Sequence, residues 1–572
     1  MQGSILGWVN HQRKPIDGRD PHAAMKKTPA SSPWKEAPKA KRVKRTEPVP
    51  PMADDDSATD LEGCSQESTC FGDANHSSSD AHSTSAHSLA VDTVRALPST
   101  PPMVMFETLL EPQKMIKDSV HGCIYLEPLC MAIIDTVQFQ RLRHLKQLGA
   151  SSHVYMSATH SRFEHSIGVA FLAEKMLRRL RDVQPWLPIS PTDVLCVKIA
   201  GLCHDLGHGP FSHVYDGIFM QQLRERGEML PSMDDWTHEQ GSLDLLDHLL
   251  YSNRIDLLEH GLTDVDYVFI RELILGRPLS GDTFQGRPEA TFLYQVVNNS
   301  VTGLDVDKLD YFMRDALYTG AKSSCDTHLL LSAVRVLPDR TTGDLTMCWP
   351  EKLAEQLLKV FRTRFELHQA VYQHKVSRAV EYMICDALLE ADALFKMKGT
   401  RISRAPLDMD AYQLLDDRIL SHIECSTDVR LTKSQAILRR ISEKPLYKCV
   451  GKTQITTYSQ TKSILELKHE IAAMVSPPLD VAQLILERNK VHYGQKEKDP
   501  LRNMRFFKKA ATGDATCYQL APALYDMHCP KHFLECNLRL FVRDASLVLA
   551  SRVAFSKWSE ERNHSSLHPQ ES

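Results

Sequence analysis

Between residues 129 and 398 the apolar positions recur mainly at helical spacing. One such segment covers residues 129–148 and ends at Gly149, a residue type that commonly terminates helices. Further helices are predicted at residues 166–180, 191–206, 236–251, 264–275, 292–298 and 307–316, and a long helical stretch at 352–398 is interrupted near His374. Only residues 120–129 alternate between apolar and polar positions, which predicts a short hairpin. Because almost no other part of this region has a strand pattern, the sequence indicates an all-α bundle.

Beyond residue 400 the pattern changes from helical spacing to a mixture of helical and alternating segments. Helices are predicted at 410–419 and 431–441, and strands at 446–450, 453–458, 484–488, 491–493 and 504–509. We therefore expect a smaller α+β lobe at 446–547, followed by a C-terminal tail at 548–572.

Residues 1–104 are rich in Ser, Pro, Asp, His and Thr and lack periodic apolar positions, so this tail is predicted to be disordered. It contains a compact basic cluster at 38–45, followed by three aspartates at 54–56. The cluster predicts a nuclear localisation signal, and hence a protein of the nucleus that also occurs in the cytoplasm. The alternative is a solvated run of charge.

Composition narrows the class of protein. The formal net charge of −4 argues against bulk electrostatic attraction to nucleic acid or membranes, so any anion site must be a local group of Lys and Arg. No apolar run approaches the roughly 20 residues of a membrane span. The 14 cysteines are scattered and often lie among apolar residues, which predicts reduced thiols and no disulfide framework.

The most informative stretch is residues 199–213, in which an apolar helix leads to His204 and Asp205. An imidazole beside a carboxylate suits a divalent metal, although further ligands must come from other segments. Gly207, Gly209 and Pro210 should end the helix and let a substrate approach the backbone. The alternative is a buried histidine that bonds only its neighbour.

Cations and further polar groups recur at spacings that suit a phosphate ligand. Arg162 precedes His165 by three residues, and Lys308 follows Asp307. Helical spacing places Tyr311 and Asp315 on the face of Asp307, and it also relates Arg364, His368, Tyr372 and Lys375. His208, His213 and His238 are candidates for proton transfer, since imidazole titrates near neutral pH. Taken alone, each of these residues is more often a surface side chain.

The order of His165, then His204-Asp205, then Asp307 resembles the ligand pattern of the HD superfamily of metal-dependent phosphohydrolases. Longer motifs narrow the resemblance to the vertebrate deoxynucleoside triphosphate triphosphohydrolases with SAM and HD domains. These motifs are FQRLR at 139–143, SRFEHSIG at 161–168, WTHEQG at 236–241, DVDKLDYF at 305–312 and YQHK at 372–375. The likeness runs from about residue 114 to about residue 543, so 105–445 is predicted to be an HD-type bundle, yet no SAM domain is recognisable before it.

The resemblance implies a role for each matching residue. His165, His204, Asp205 and Asp307 would bind one divalent metal, which could be Zn, Fe, Mn or Mg. The stripe of acidic residues on the same helix includes Asp310, which better fits an ordinary solvated helix face. His238, Asp216, His208 and His213 would form the catalytic centre. The substrate residues implied by the motifs and the cation pattern are Gln147, Leu148, Arg162, His208, His213, Lys308, Tyr311, Asp315, Arg364 and Tyr372. Of these, Gln147, Leu148 and Tyr311 would crowd C2′ and disfavour a ribose.

The family is also activated by nucleotides bound between subunits. A guanine-specific first site, for GTP or dGTP, would comprise Lys114, Asp135, Gln140 and Arg143. A second site, for a dNTP, would comprise Arg335, Lys352, His374, Lys375 and Lys448. Pro350, Gln356 and Lys444 replace an arginine, an asparagine and an arginine of the family, which puts the base preference of the second site in question. The resemblance implies a homotetramer.

The function expected from the resemblance is hydrolysis of dNTPs to deoxynucleoside and tripolyphosphate, which would lower dNTP pools and restrict viral reverse transcription. A first rival is an HD nucleotidase or phosphodiesterase that acts on another nucleotide. A second rival is a protein that binds single-stranded nucleic acid through the basic and aromatic residues at 502–509. The alternative for that segment is a purely structural role, as a basic sheet edge at a subunit contact.

Overall fold

The computed structural model describes residues 113–508 and 515–563. The predicted disordered tail at 1–104 and its basic cluster at 38–45 lie outside the described residues, as does 564–572. In the part that is described, a helical bundle is joined to a smaller α+β lobe, which confirms the predicted fold class. Among these residues, no helix has both the length and the apolar character needed to cross a membrane, and the twelve cysteines that are described are all free thiols.

The bundle begins with an antiparallel hairpin, β1 (Lys114–Asp118) and β2 (Gly122–Leu126). The helices that follow are α1 (Pro128–Ile134), α2 (Val137–Gln140), α3 (Arg162–Val183), α4 (Pro191–Cys203), α5 (Met220–Glu225), α6 (His238–Asn253), α7 (Asp264–Leu275), α8 (Val306–Thr319), α9 (Thr327–Ala333), α10 (Ala354–Leu367), α11 (Lys375–Ala391), α12 (Met409–Tyr412), α13 (Ile419–Glu424) and α14 (Thr432–Glu443).

The prediction of one helix over 129–148 is wrong, because the segment breaks into α1, α2 and a 3-10 turn at Arg141–His144. Thr136 lies between the two helices with an extended backbone, and its hydroxyl accepts a hydrogen bond from the N–H of Phe139. A side chain that caps a new helix in this way competes with continuation of the previous one. Apolar periodicity alone did not reveal the cap.

Helices α3 and α4 pack against each other in the bundle core, and a glycine lies at their contact. Gly201 of α4 faces the backbone of Ala170 in α3, and an added Cβ would lie 3.2 Å from the Ala170 Cα. Helix α3 begins at Arg162 behind a capping box of Ser161 and Glu164, four residues earlier than predicted. His165 therefore lies inside the first turn of α3, beside the end of α4.

A second set of strands lies within the bundle region, where the pattern had indicated almost no strand. Strands β3 (Arg335–Pro338) and β4 (Leu345–Pro350) form an antiparallel hairpin, and β9 (Phe506–Phe507) adds to β4 in parallel. A minor hairpin, β5 (Lys396–Met397) and β6 (Thr400–Arg401), follows α11. These strands are too short to show a clear alternation.

The lobe is built on a three-stranded antiparallel sheet of order β7-β10-β8, formed by β7 (Lys448–Gln454), β8 (Leu484–His492) and β10 (Leu534–Val542). The predicted strand at 453–458 is wrong in its second half, which forms α15 (Thr457–Thr461). Helices α16 (Ile464–Ala472) and α17 (Val548–Trp558) cover the sheet. The core contains Phe555 and Trp558, which lie beyond the predicted limit of the lobe at 547.

Candidate metal centre and adjoining cavity

Four side chains from three helices converge at one end of the bundle, and we call His165, His204, Asp205 and Asp307 the metal group. Nε2 of His165 lies 3.1 Å from Oδ1 of Asp307 and 3.6 Å from Oδ2 of Asp205. Nε2 of His204 lies 3.4 Å from Oδ1 of Asp205 and 3.6 Å from Oδ1 of Asp307. Two imidazoles and two carboxylates at this spacing form an all-N/O ligand set that suits a divalent cation.

Hydrogen bonds behind the metal group orient both histidines. Nδ1 of His204 donates to the carbonyl oxygen of Gly201 at 2.8 Å. Nδ1 of His165 lies 2.7 Å from Oδ2 of Asp310, so Nε2 of each ring is directed at the carboxylates. Nε2 of His165 is buried and makes no hydrogen bond of normal geometry. A buried nitrogen without a partner among three other ligand groups fits a bound metal.

Asp310 is fully buried, so the interpretation of this residue as part of a solvated helix face is wrong. Its Oδ1 lies 2.6 Å from Nε2 of His121, and its Oδ2 accepts from Nε of Arg314 at 2.8 Å. Arg314 also donates to Asp118 at 3.0 Å. Asp310 thus fixes the metal group from behind, a role that the spacing of acidic residues along α8 did not reveal.

The metal group concentrates negative charge. Burial alone would lower the pKa of His165, but the adjacent carboxylates of Asp307 and Asp310 raise that pKa to about 10. Burial alone would raise the pKa of Asp205, but Arg162 and His204 hold it well below its ordinary value. A bound metal cation would take the place of a proton on Nε2 of His165, because the carboxylates favour a positive charge there.

A second set of ionisable side chains adjoins the first, and we call Asp216, His208, His213 and His238 the Asp216 group. Oδ2 of Asp216 lies 2.8 Å from Nδ1 of His238, and its Oδ1 lies 3.4 Å from Nδ1 of His213. The rings of His208 and His238 stack with centroids 4.0 Å apart. Nε2 of His208 lies 3.3 Å from Oδ1 of Asp205, which joins the two groups.

Both groups border a cavity of about 510 Å³. All ten residues predicted to contact substrate line this cavity: Gln147, Leu148, Arg162, His208, His213, Lys308, Tyr311, Asp315, Arg364 and Tyr372. Oε1 of Gln147 is buried without a hydrogen-bond partner. Asp315 is held between His160 at 2.8 Å and the hydroxyl of Tyr372 at 2.6 Å.

Three of the four cationic side chains that line the cavity, Arg162, Lys308 and Arg364, are each held in place by a neighbour. Nε of Arg162 donates to the hydroxyl of Ser212 at 2.8 Å, and its guanidinium pairs with Asp205. Lys308 pairs with Asp305 at 2.8 Å, and Arg364 donates to the carbonyl oxygen of His492. Three positive side chains beside a metal group fit a polyphosphate more closely than a neutral ligand.

The structure also shows which contacts shape the cavity loop at 206–212. Arg141 donates to the carbonyl oxygens of Leu206 and His208 at 3.0 and 2.7 Å. The hydroxyl of Tyr412 donates to the carbonyl oxygen of Gly207 at 2.6 Å. Asp417 accepts from the backbone of the same loop. Sequence reasoning missed the roles of these three residues. Arg141 lies within the FQRLR motif at 139–143, whereas the contacts of Tyr412 and Asp417 span 205 and 206 residues, so no local signal could have found them.

The residues predicted for the first activator site lie near the bundle surface. Lys114, Asp135 and Arg143 are exposed. Nε of Arg143 donates to Oε1 of Gln140 at 2.7 Å, and its guanidinium lies over the ring of Phe163. Those predicted for the second site come from four separate segments, with Arg335 on β3, Lys352 before α10, His374 and Lys375 at the start of α11, and Lys448 on β7.

The basic segment at 502–509 differs from what nucleic-acid binding would require, over the residues that are described. Phe506 is fully buried in β9 and cannot stack on a base. Arg505 pairs with Asp339. The structure therefore favours the interpretation of this segment as a basic sheet edge.

Comparisons with known proteins agree with this geometry. The model of the HD domain family matches residues 162–255, which include His165, His204 and Asp205. The chain is 39% identical over 481 residues to the deoxynucleoside triphosphate triphosphohydrolase SAMHD1 of Homo sapiens, covering 79% of this chain and 74% of that protein. It is 39% identical to the Danio rerio protein of the same name, over 79% of this chain and 75% of that protein. A Dictyostelium discoideum homologue is 35% identical, over 79% and 81%.

Proposed function

Because the chain belongs to the SAMHD1 family of HD-domain hydrolases, we propose that it hydrolyses dNTPs to deoxynucleoside and tripolyphosphate with a bound divalent metal. The observation that supports this most directly is the composition of the cavity, which is lined by members of the metal group, by members of the Asp216 group and by cations that include Arg162, Lys308 and Arg364. A phosphodiester or monophosphate would need fewer cations than a triphosphate.

The side chains of the metal group would hold the cation, and the remaining cavity residues would bind and orient the substrate. Zn, Fe, Mn or Mg bound there supplies Lewis-acid activation of water and of a phosphoryl oxygen. Arg162, Lys308 and Arg364 neutralise the phosphate oxygens and align the α-phosphorus with the metal group.

The Asp216 group supplies the proton for the leaving oxygen. Asp216 accepts from Nδ1 of His238 at 2.8 Å, and Nε2 of that ring lies at the cavity, 3.5 Å from Oε1 of Glu239. Burial, together with the positive charge of Arg162, lowers the pKa of His208 well below its ordinary value, so His208 stays neutral. We assign proton donation to His238 and phosphate contact to His208 and His213.

The part of the cavity wall formed by Tyr311, Tyr372 and Leu148 would select the sugar of the substrate. Tyr311 packs beside Tyr372, with ring centroids 6.5 Å apart, and Leu148 lines the same cavity. Their bulk beside C2′ would exclude a ribose hydroxyl. Gln147 has a buried acceptor oxygen with which to contact the deoxynucleoside.

Regulation and cellular role belong to the same proposal. GTP or dGTP would bind Lys114, Asp135, Gln140 and Arg143, and a dNTP would bind the second set between subunits of a homotetramer. The exposure of Asp135 leaves its carboxylate available to a guanine edge. A nuclear and cytoplasmic dNTP hydrolase would lower dNTP pools and thereby restrict viral reverse transcription.

The experiment that tests the reaction incubates the purified chain with each dNTP, with and without GTP, and resolves the products by ion-exchange chromatography. We expect deoxynucleoside and tripolyphosphate in equimolar amounts. Release of monophosphate or pyrophosphate would instead support the rival HD nucleotidase or phosphodiesterase.

A second experiment tests activation. Sedimentation at fixed protein concentration, with GTP and dNTP varied, should show conversion to a tetramer in parallel with turnover, because ligand binding and assembly are reciprocally coupled. Asp135→Ala should lose the GTP-driven step and keep its metal. A variant that assembles and turns over like the wild type would exclude Asp135 from activation.

A further inference from the structure

The cavity loop contains two consecutive residues in a backbone conformation that side chains disfavour. Phe211 has a φ of 56° and Ser212 a φ of 55°. Left-handed backbone at non-glycine residues persists where surrounding contacts enforce it, and such sites are frequently functional. This turn lies between His208 and His213, both of which line the cavity.

The carboxylate of Asp417 bonds this turn and also the segment at residues 146–149, which forms the adjoining wall of the cavity. Oδ1 of Asp417 accepts the backbone N–H of Phe211 at 2.6 Å. Its Oδ2 accepts the backbone N–H of Lys146 at 3.0 Å. Lys146 immediately precedes Gln147 and Leu148, so a single side chain joins the two cavity walls.

The two walls are also in direct contact, so a shift of one would be transmitted to the other. A Cβ added at Gly149 would lie 3.0 Å from the carbonyl oxygen of Phe211. The hydroxyl of Ser212 donates to the carbonyl oxygen of Lys146 at 3.1 Å and accepts from Arg162 at 2.8 Å. Loss of the Asp417 bonds would therefore release both the turn and its support for Arg162.

We propose that Asp417 is a positioning residue of the active site: its carboxylate holds the Phe211–Ser212 turn against the Lys146–Gly149 wall, and so places His213 and Leu148 for the reaction. Asp417 itself does not line the cavity and does not touch the metal group. Only the kinetic part of this inference rests on the proposed function.

The charge state of Asp417 is consistent with this role. Burial raises its pKa to about 6, even though the N–H groups of Lys146 and Phe211 oppose that rise. The charged side chains that act on it are those of Lys146, which lowers the pKa, and Asp416, which raises it. At neutral pH the carboxylate is ionised and can accept both amides.

The chain offers a matched control in the adjacent residue. Asp416 is also buried, but its carboxylate pairs with Arg418 at 2.6 Å and does not bond the cavity loop. Asp416→Asn and Asp417→Asn are therefore equal changes of charge and size at neighbouring positions. Only the second removes an acceptor from the cavity walls.

The test measures hydrogen exchange by mass spectrometry over residues 206–214, metal content, and kcat and KM for a dNTP. Asp417→Asn should accelerate exchange in this segment and lower kcat by roughly 10- to 100-fold, since small misplacements at a reacting centre have effects of this size. KM should change less than kcat, and metal content should be retained. Asp416→Asn should resemble the wild type in every measurement.

Exchange and kcat that are unchanged in Asp417→Asn would overturn the proposal, as would equal effects in both variants. If Asp417→Asn does not fold, Asp417→Ser replaces it with the same expected outcomes. If the wild type has no dNTP turnover, the proposed function fails, while the exchange measurement still decides whether Asp417 holds the turn.

Discussion

The metal group and the Asp216 group lie side by side, yet the fold supports them very differently. The metal group comes from α3, α8 and the end of α4, and Asp310, Arg314 and His121 support it from behind. The Asp216 group comes from a loop, a π-helical turn at Val214–Phe219 and the first residue of α6. His213 in this group leaves 74% of its side chain exposed. Fixed ligand geometry suits metal binding, whereas the exposed ring of His213 is open to a ligand in the cavity.

The metal group and the Asp216 group also differ in how their surroundings shift the pKa values of their histidines. In the metal group, Asp307 and Asp310 raise the pKa of His165, and a bound cation would take the place of a proton on its Nε2. In the Asp216 group, the pKa of His208 is lowered by burial and Arg162, whereas the carboxylate of Asp216 raises the pKa of the exposed His213. The surroundings of the Asp216 group therefore shift two neighbouring histidines in opposite directions, which acid–base chemistry can use.

The largest expected effect comes from removing a member of the metal group. His204→Ala should lose bound metal and lower turnover by about 10³-fold or more, since each ligand is needed for one coordination sphere. Metal analysis of the purified protein and product chromatography measure the two effects. His422→Ala, at an exposed histidine of α13, is the control. Full metal content with full turnover in His204→Ala would exclude this ligand set.

The next prediction separates the two groups. Asp216→Asn should lower turnover by roughly 10²- to 10⁴-fold through loss of the oriented proton donor His238. The metal content should remain that of the wild type, because Asp216 does not support the metal group. If the metal is lost as well, the Asp216 group is itself a metal site, for which its clustered ligand atoms would be competent.

A smaller effect is expected from the support behind the metal group. Asp310→Asn keeps the shape of the side chain but weakens its hold on His165, so metal affinity should fall by about 10- to 100-fold. Competition with a chelator measures this affinity. An unchanged affinity would show that the helices alone position His165, and that Asp310 contributes only to packing.

The smallest effect concerns the lobe strand that holds Arg364 at the cavity. Burial, together with the charge of Arg364, lowers the pKa of His492 to about 4, and its neutral Nδ1 accepts from Gly494 at 3.0 Å. As the pH falls, this histidine becomes protonated near pH 6.5 in the unfolded chain but only near pH 4 in the folded protein. The contribution of neutral His492 to the free energy of unfolding is therefore complete above about pH 6.5 and is lost as the pH falls towards 4. His492→Gln should reduce the fall in Tm between pH 7.5 and pH 5. An equal fall in the variant and the wild type would contradict this contribution.

The sequence by itself determined the helical class, the position of α7 and the interruption of the long helix near His374, because apolar periodicity and local breaks encode these features. It also indicated a metal ligand pair at His204 and Asp205, since adjacent donors are visible without a fold. The break at Thr136 and the short strands β3 and β4 were missed, because capping and tertiary pairing outweighed weak local patterns.

Only the tertiary structure decided how the remaining groups are used. Asp310 and Asp307 are three residues apart on one helix and chemically identical, yet packing against His121 and Arg314 makes one a buried support and leaves the other facing the cavity. Asp417 bonds Phe211 across 206 residues of sequence. A hydrogen bond depends on distance and direction in space, and over such separations only the packed chain specifies both.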